Sequence, residues 1–169
     1  MITFLEVILA LLLAAATSYV FFSSVTIQEN SMNPTLMAGD RVFVNRASYA
    51  LRGVHRGDLI AYRGSADSDS GIHVKRVIAL PGETVQIKDG LILIDGKTYI
   101  ESKEFPNITK PGLAEEGVRL GSEEYFVLGD NRNNSEDSRF ADVGMISLDH
   151  VLGKAEFQVF PFSEIHLIR

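Results

Sequence analysis

The sequence predicts a mainly β globular domain that follows an apolar N-terminal helix. The helix is indicated by residues 2–22, a run of 21 residues in which Glu6 is the only side chain charged at neutral pH. The β domain is indicated by short runs rich in β-branched residues, separated by turn dipeptides such as Asp95-Gly96 and Gly129-Asp130. A chain of 169 residues is long enough for such a helix and for one domain with its own core.

The apolar run has the length of a membrane span. At about 1.5 Å per residue, a helix over residues 2–22 covers roughly 30 Å, the thickness of the bilayer core. We therefore predict a retained transmembrane anchor at residues 1–24 and a single domain at 25–169. The alternative is a cleaved signal peptide, because residues 14–16 are three alanines. However, the chain lacks a basic start, and the apolar run continues past the alanines.

The soluble part is predicted to be built from short antiparallel strands. Asp95-Gly96 fits a type I′ hairpin turn, and Pro81-Gly82 fits a type II turn. Polar stretches at 63–71 and 102–122 are predicted to be surface loops. The predicted strands are 41–45, 58–62, 73–80, 84–88, 91–94, 97–100, 125–128 and 151–160.

Composition excludes several functional classes. The net charge of −6 argues against a nucleic-acid partner, which favours a basic surface. The chain has no cysteine, and its four histidines show no metal-ligand spacing. We therefore expect neither thiol chemistry nor a bound metal or cofactor.

Two residue types stand out as candidates for nucleophilic catalysis. Ser31 lies just after the apolar segment, and Lys75 interrupts an otherwise apolar strand. Lys75 is an ordinary exposed residue if its strand is half solvated. In a dry pocket, however, a lysine loses charge more easily and becomes a usable base for a serine hydroxyl. A Ser-His-Asp triad through His55, His73 or His150 stays open at this point, because no spacing selects one of them.

Three motifs resemble those of bacterial type I signal peptidases, in the order that the family has them. The first is S-M-N-P-T-L at 31–36, followed by G-D-R-V at 39–42. The second is K-R-V-I-A-L-P-G-E at 75–83. The third runs from G-D-N-R at 129–132 through S-E-D-S-R at 135–139 to G-K-A at 153–155. With the anchor, these motifs cover nearly the whole chain.

The resemblance implies a serine endopeptidase that uses a Ser/Lys pair. Ser31 would be the nucleophile and Lys75 the general base. Ser135 would hydrogen-bond the Lys75 amine, and Asp137 with Arg139 would form an ion pair behind the site. The enzyme would be a monomer in the bacterial cytoplasmic membrane, crossing it once, with a signal-peptidase-like antiparallel β catalytic domain on the extracytoplasmic side.

The resemblance also implies the substrate, namely the signal peptides of exported preproteins. An extended peptide turns residues −1 and −3 from the cut to the same side, where shallow apolar pockets would accept small side chains. The residues expected to line these pockets are Val25, Ile27, Leu36 and Val74.

Glu29 departs from the family pattern, which often has Ser or Gly two residues before the nucleophile. A carboxylate beside a developing oxyanion would repel it, so the Glu29 side chain is expected to point away from the site. Two other classes of protein stay open. A self-cleaving repressor would need a helix-turn-helix and a basic face, which the sequence lacks, whereas an inactive anchored β module is excluded only by an assay.

Overall fold

The computed structural model describes residues 3–64 and 71–168, without the side chains of residues 16–20, 50 and 51. Within those ranges it contains two α-helices, α1 (Phe4–Phe21) and α2 (Ser48–Arg52), together with twelve β-strands and three short 3-10 helices. The strands are β1 (Phe22–Thr26), β2 (Arg41–Asn45), β3 (Leu59–Arg63), β4 (Ile72–Ala79), β5 (Thr84–Lys88), β6 (Leu91–Ile94), β7 (Lys97–Thr98), β8 (Val118–Arg119), β9 (Glu124–Leu128), β10 (Ile146–Ser147), β11 (Val151–Phe160) and β12 (His166–Leu167).

The strands form two sheets, in which every described pairing is antiparallel. The larger sheet has the order β1-β2-β11-β3-β4-β9-β10, and β12 pairs with β11 outside that path. The smaller sheet has the order β7-β6-β5-β8. The mainly β, antiparallel prediction is confirmed.

The N-terminal segment differs from its prediction at one point. The helix ends at Phe21, and Phe22 opens β1, which pairs with β2 from Phe22↔Asn45 to Thr26↔Arg41. The apolar run continues into β1, so hydropathy alone does not mark the change from helix to strand. In the part of the chain that the structure describes, no helix combines the length and apolarity needed to cross a bilayer. The division at residue 24/25, which falls inside β1, stays a prediction.

Most predicted strands are confirmed, several with identical bounds. Asp95 and Gly96 both have positive φ, 49° and 77°, as a type I′ turn requires. Three strands of two residues each, β8, β10 and β12, are too short to show alternation and were not predicted. The predicted strand at 97–100 is shorter, and residues 65–70 of the predicted loop lie outside the described residues.

A buried cluster lies beside the first motif and fixes its position. Met32 and Leu36, on either side of the proline turn, are 1% and 0% exposed and pack with Val42 and Val74. Burying a side chain of this size stabilises a fold by roughly 1.5–3 kcal/mol. The two residues therefore anchor the turn that carries Ser31 to the large sheet.

Candidate active site

Ser31 lies on a hydrogen-bonded turn between β1 and β2. The Asn33 N–H donates to the Asn30 carbonyl at 3.2 Å, and the Leu36 N–H donates to the Met32 carbonyl at 3.0 Å. The Ala38 N–H donates to the Asn30 side-chain oxygen at 3.2 Å. These bonds and the buried anchors hold the Ser31 side chain in one place, next to strand β4.

Lys75 reaches Ser31 from the middle of β4. Its side chain is 1% exposed, and Nζ lies 2.6 Å from Ser31 Oγ. Burial lowers the pKa of Lys75 below 10.5, although the Glu29, Asp137 and Glu136 carboxylates oppose this shift. When Lys75 is charged, Nζ donates to Oγ. When it is neutral, the same contact lets the amine accept the hydroxyl proton, as a general base must.

The third motif holds the Ser31 turn from the other side. The Asn131 N–H donates to the Ser31 carbonyl at 3.0 Å, and the Asn131 side-chain amide donates to the Asn30 carbonyl at 3.1 Å. The Thr35 hydroxyl donates to Asp130 Oδ2 at 2.5 Å. The loop after β9 therefore fixes both ends of the turn.

Buried ion pairs support this loop. Arg76 donates to both carboxylate oxygens of Asp130 at 2.7 Å. Arg139 makes a similar pair with Asp137, with Nε at 2.7 Å and Nη2 at 2.8 Å. Asp137 also accepts from the Gly129 N–H at 3.0 Å. The ion pair expected between Asp137 and Arg139 is thus present, and it is 0% and 2% exposed.

Ser135 lies beside the site but does not make the expected contact. Its hydroxyl donates to the Glu136 carbonyl at 3.4 Å, whereas the described partners of Lys75 Nζ are Ser31 and Glu29. A carboxylate is a stronger partner for an ammonium group than a hydroxyl is. The prediction that Ser135 hydrogen-bonds the Lys75 amine is therefore corrected. Ser135 instead packs over Gly129, where an added Cβ would collide with the Ser135 hydroxyl.

Glu29 points toward the site, so the prediction that it points away is wrong. Its Oε2 lies 3.3 Å from Lys75 Nζ, and its Oε1 lies 3.0 Å from His73 Nδ1. Partial burial alone would raise the pKa of Glu29, but the charges of Lys75 and His73 lower it below 4.5. The prediction considered only repulsion of an oxyanion and overlooked the attraction of the charged lysine in the absence of substrate.

The four predicted pocket residues divide into two pairs. Ile27 and Val74 line a small cleft that also contains Ser31 and Met32. Val25 and Leu36 are outside that lining and belong to the buried cluster that includes Ile27 and Val74. Leu36 is 0% exposed, so it supports the cleft by packing and has no surface for a substrate to contact. For Leu36 the expected lining position is therefore corrected.

The histidines are placed differently from a catalytic triad. His73 is bonded to Glu29, and the side chain of His55 is 66% exposed beside Asp58. Ser31 Oγ receives its hydrogen bond from Lys75. Among the described residues, no group of three or more acidic or histidine side chains is arranged to hold a metal ion.

Sequence reasoning missed the contacts that connect the three motifs. Asp130 and Arg76 were recognised as motif residues, but no partner was predicted for either of them. A charged residue next to Lys75 in an apolar strand is a signal for a buried partner, because an unpaired buried charge is costly. The position of Thr35 carries no such signal.

Comparison with known proteins places the chain among peptidases. The sequence model of a family described as "Signal peptidase, peptidase S26" matches residues 1–160. Signal peptidase I T of Bacillus subtilis (strain 168) is 39% identical over 175 residues, which cover 96% of this chain and 89% of the relative. Signal peptidase I of Bacillus licheniformis is 36% identical, with 94% of this chain and 88% of the relative covered.

A solved structure is also similar. The crystal structure of a signal peptidase I from Enterococcus faecalis V583 has 30% sequence identity and a TM-score of 0.49, over 60% of this chain and 95% of that chain. The family match spans nearly the whole sequence, and the relatives are matched over most of their own length. On this evidence the chain belongs to the signal peptidase family, peptidase S26.

Proposed function

We propose that this chain removes signal peptides from exported preproteins as a membrane-anchored serine endopeptidase, with Ser31 as nucleophile and Lys75 as general base. Membership of the signal peptidase family supports the reaction. The observation that carries the assignment of residues is the 2.6 Å contact between Ser31 Oγ and the buried Lys75 Nζ.

In the first half of the reaction, neutral Lys75 takes the proton of Ser31 Oγ while Oγ attacks the carbonyl carbon of the scissile bond. The developing oxyanion needs a hydrogen-bond donor, and the backbone N–H of Ser31 is the candidate. Lys75 then gives the proton to the leaving amine, and the signal peptide stays on Ser31 as an ester. In the second half, Lys75 takes a proton from the water that attacks the ester, and it gives this proton to Ser31 Oγ as the ester bond breaks and the signal peptide leaves.

The cleft beside Ser31 is the proposed site for the end of the signal peptide. Segment 27–29 forms one wall, and residues 71–74 form the other. A peptide bound there in extended form would place residues −1 and −3 against Ile27 and Val74, with Val25 and Leu36 packed in the core around them. The limited space in this cleft favours alanine and other small side chains at these two positions.

The apolar N-terminal segment is proposed to anchor the enzyme in the cytoplasmic membrane by one span, with the β domain on the extracytoplasmic side. Glu6 is the only side chain in residues 2–22 that is charged at neutral pH. Ser31 follows the end of α1 by ten residues, a distance of at most about 35 Å along an extended chain. Cleavage close to the bilayer follows from that tether. The enzyme is proposed to act as a monomer, since one chain by itself brings Ser31 and Lys75 into contact.

The proposal is tested with the full chain, solubilised in detergent and incubated with a preprotein whose signal peptide ends in Ala-x-Ala. We expect a new N-terminus directly after the second alanine, and none with Ser31→Ala. If the folded wild-type chain leaves the preprotein intact, the protein is an inactive β module. Cleavage that continues in Ser31→Ala would exclude Ser31 as the nucleophile.

A further inference from the structure

The Glu29 carboxylate connects two side chains of β4. One oxygen lies 3.3 Å from Lys75 Nζ and the other 3.0 Å from His73 Nδ1. Lys75 and His73 are two positions apart in β4 and therefore lie on the same face of the strand. The three side chains differ in exposure, with 46% for Glu29, 17% for His73 and 1% for Lys75. Glu29 thus reaches from solvent to the buried amine.

We propose that Glu29 is a positioning residue for the reaction, whose carboxylate is shared between Lys75 and His73 and holds the Lys75 amine against Ser31. This inference rests on the proposed function, because it requires Lys75 to be the base. His73 contacts Oε1 of the Glu29 carboxylate, and Lys75 contacts Oε2. His73 and Lys75 therefore fix the orientation of Glu29 together, and a change in one contact alters the other.

The same carboxylate opposes catalysis through its charge. A negative charge within 4–6 Å favours the charged form of lysine and typically shifts its pKa by 1–3 units. The base must be neutral, so an ionised Glu29 moves the active range of the enzyme to higher pH. His73 reduces this effect, since a hydrogen bond from its Nδ1 to the other carboxylate oxygen stabilises part of the negative charge away from Lys75. Glu29 and His73 therefore have opposite effects on the pH at which Lys75 becomes a base.

Other charged groups face this region, and they differ from Glu29 in their contacts. Lys75 also experiences the carboxylates of Asp137 and Glu136. Asp137 is neutralised by its ion pair with Arg139, and Glu136 is exposed. Among the described acidic residues, Glu29 is the one that hydrogen-bonds Lys75 Nζ. A second cavity, adjacent to the cleft, is lined by Glu29 and His73 and by other polar side chains of β3, of the loop after β9 and of the 3-10 helix before β11. These are Tyr62, Arg63, Asp142 and His150.

Glu29 also lies where the substrate enters. It lines the cleft that contains Ser31, together with Ile27 and Val74, and it lines the adjacent cavity as well. A peptide that fills the cleft would therefore contact the Glu29 side chain as well as Ser31. This placement makes Glu29 part of the working site and not a surface residue that pairs with Lys75 by accident.

The experiment is a set of pH profiles of kcat/KM, measured on the full chain in detergent with a preprotein substrate. Glu29→Gln keeps the shape of the side chain but removes its charge, so the rising limb should move to lower pH by about one unit. Glu29→Ala should show the same shift with a lower plateau, because the contact that positions Lys75 is lost as well. His73→Phe keeps an aromatic ring beside Tyr62 but removes the hydrogen bond to Glu29. The negative charge of Glu29 then acts on Lys75 without this second partner, so the rising limb should move to higher pH.

Glu116→Gln is the matched control, since it removes an exposed carboxylate that lines neither cavity beside Lys75, and its limb should stay within about 0.3 unit of the wild type. An unchanged limb in both Glu29→Gln and His73→Phe, while Lys75→Ala abolishes cleavage, would overturn the role of Glu29 and leave the proposed function intact. Cleavage that survives in Lys75→Ala would overturn the proposed function itself. If Glu29→Gln does not fold, Glu29→Ala and His73→Phe decide together. A limb moved to lower pH in the first and to higher pH in the second supports the shared carboxylate, and an unchanged limb in both overturns it.

Discussion

Arg76 and Asp130 form a buried bidentate ion pair, in which Nε and Nη2 of the arginine each lie 2.7 Å from a carboxylate oxygen. Arg76 directly follows Lys75 in β4, and Asp130 also accepts a hydrogen bond from Thr35 on the Ser31 turn. The strand that carries the proposed base is therefore joined to the turn that carries the proposed nucleophile through residues that touch neither reacting atom.

Loss of Asp130 should weaken the whole fold. Asp130→Ala leaves the Arg76 guanidinium buried without its partner, and breaking a buried ion pair in this way typically costs about 3–5 kcal/mol. The free energy of unfolding, measured by denaturant titration, should fall by that amount. Glu123→Ala, which removes an exposed carboxylate, is the control and should change it by less than about 0.5 kcal/mol. A loss below about 1 kcal/mol in Asp130→Ala would contradict the importance given to this pair.

Gly129 should be intolerant of any side chain for reasons of space. A Cβ at this position would collide with the Ser135 hydroxyl and with the Ser31 carbonyl. Gly129→Ala should therefore displace the Ser31 turn and lower kcat/KM by about a hundredfold, since an error of about 1 Å in a catalytic group has that effect. Gly121→Ala, whose Cβ would meet only the carboxylate end of the Glu124 side chain, at 3.1 Å, is the control and should keep near-normal activity. Equal activity of the two variants would show that the turn does not depend on this close contact.

The proposed base should destabilise the protein at neutral pH. Burial lowers the pKa of Lys75 in the folded state, so the unfolded chain holds its proton more tightly. The resulting loss of stability is absent above pH 10.5, grows as the pH falls toward the folded pKa, and is complete below it. Lys75→Met fills a similar volume without charge, and Glu29 stays solvated at 46% exposure. We expect the variant to gain about 1 kcal/mol at pH 7, or roughly 2–4 °C in Tm. A variant that is less stable than the wild type at pH 7 would show that the lysine contributes net stability.

Activity should rise with pH as Lys75 loses its proton. Since burial lowers the pKa of Lys75 below 10.5, the limb of kcat/KM should have its midpoint below that value. The profile is measured with one preprotein substrate over the range in which the fold is intact by circular dichroism. A midpoint at 10.5 or above would mean that the lysine is solvated when it acts, which the burial of its side chain does not allow.

The fold was largely predictable because its strands end at residues with strong local preferences. Asp95-Gly96 and Pro81-Gly82 favour turns through local backbone preferences, and Asp95, Gly96 and Gly82 all have the positive φ that those turns require. The start of β1 at Phe22 was missed because the apolar run of α1 continues across it, and the pairing with β2 that makes it a strand is a long-range contact. The two-residue strands depend in the same way on their partners.

The candidate site was predictable only in part, for a similar reason. Alternation does not establish that Lys75 is buried, because β4 is buried on both faces from Val74 to Ala79. The order of the motifs suggested that Ser31 and Lys75 meet, and the structure brings them together. The orientation of Glu29 depends on two residues more than forty positions away, at a place where the family pattern has a different residue type. No local signal in the sequence carries that information.

The most direct test of the Ser31/Lys75 pair is a double-mutant cycle on kcat/KM for preprotein cleavage, with folding of each variant checked by circular dichroism. Because the two residues act as one unit, Ser31→Ala and Lys75→Ala should each lower the value by at least about a thousandfold, and the double variant should be little worse than either. Near-normal cleavage by folded Lys75→Ala, or losses that multiply in the double variant, would contradict the pair as the catalytic unit.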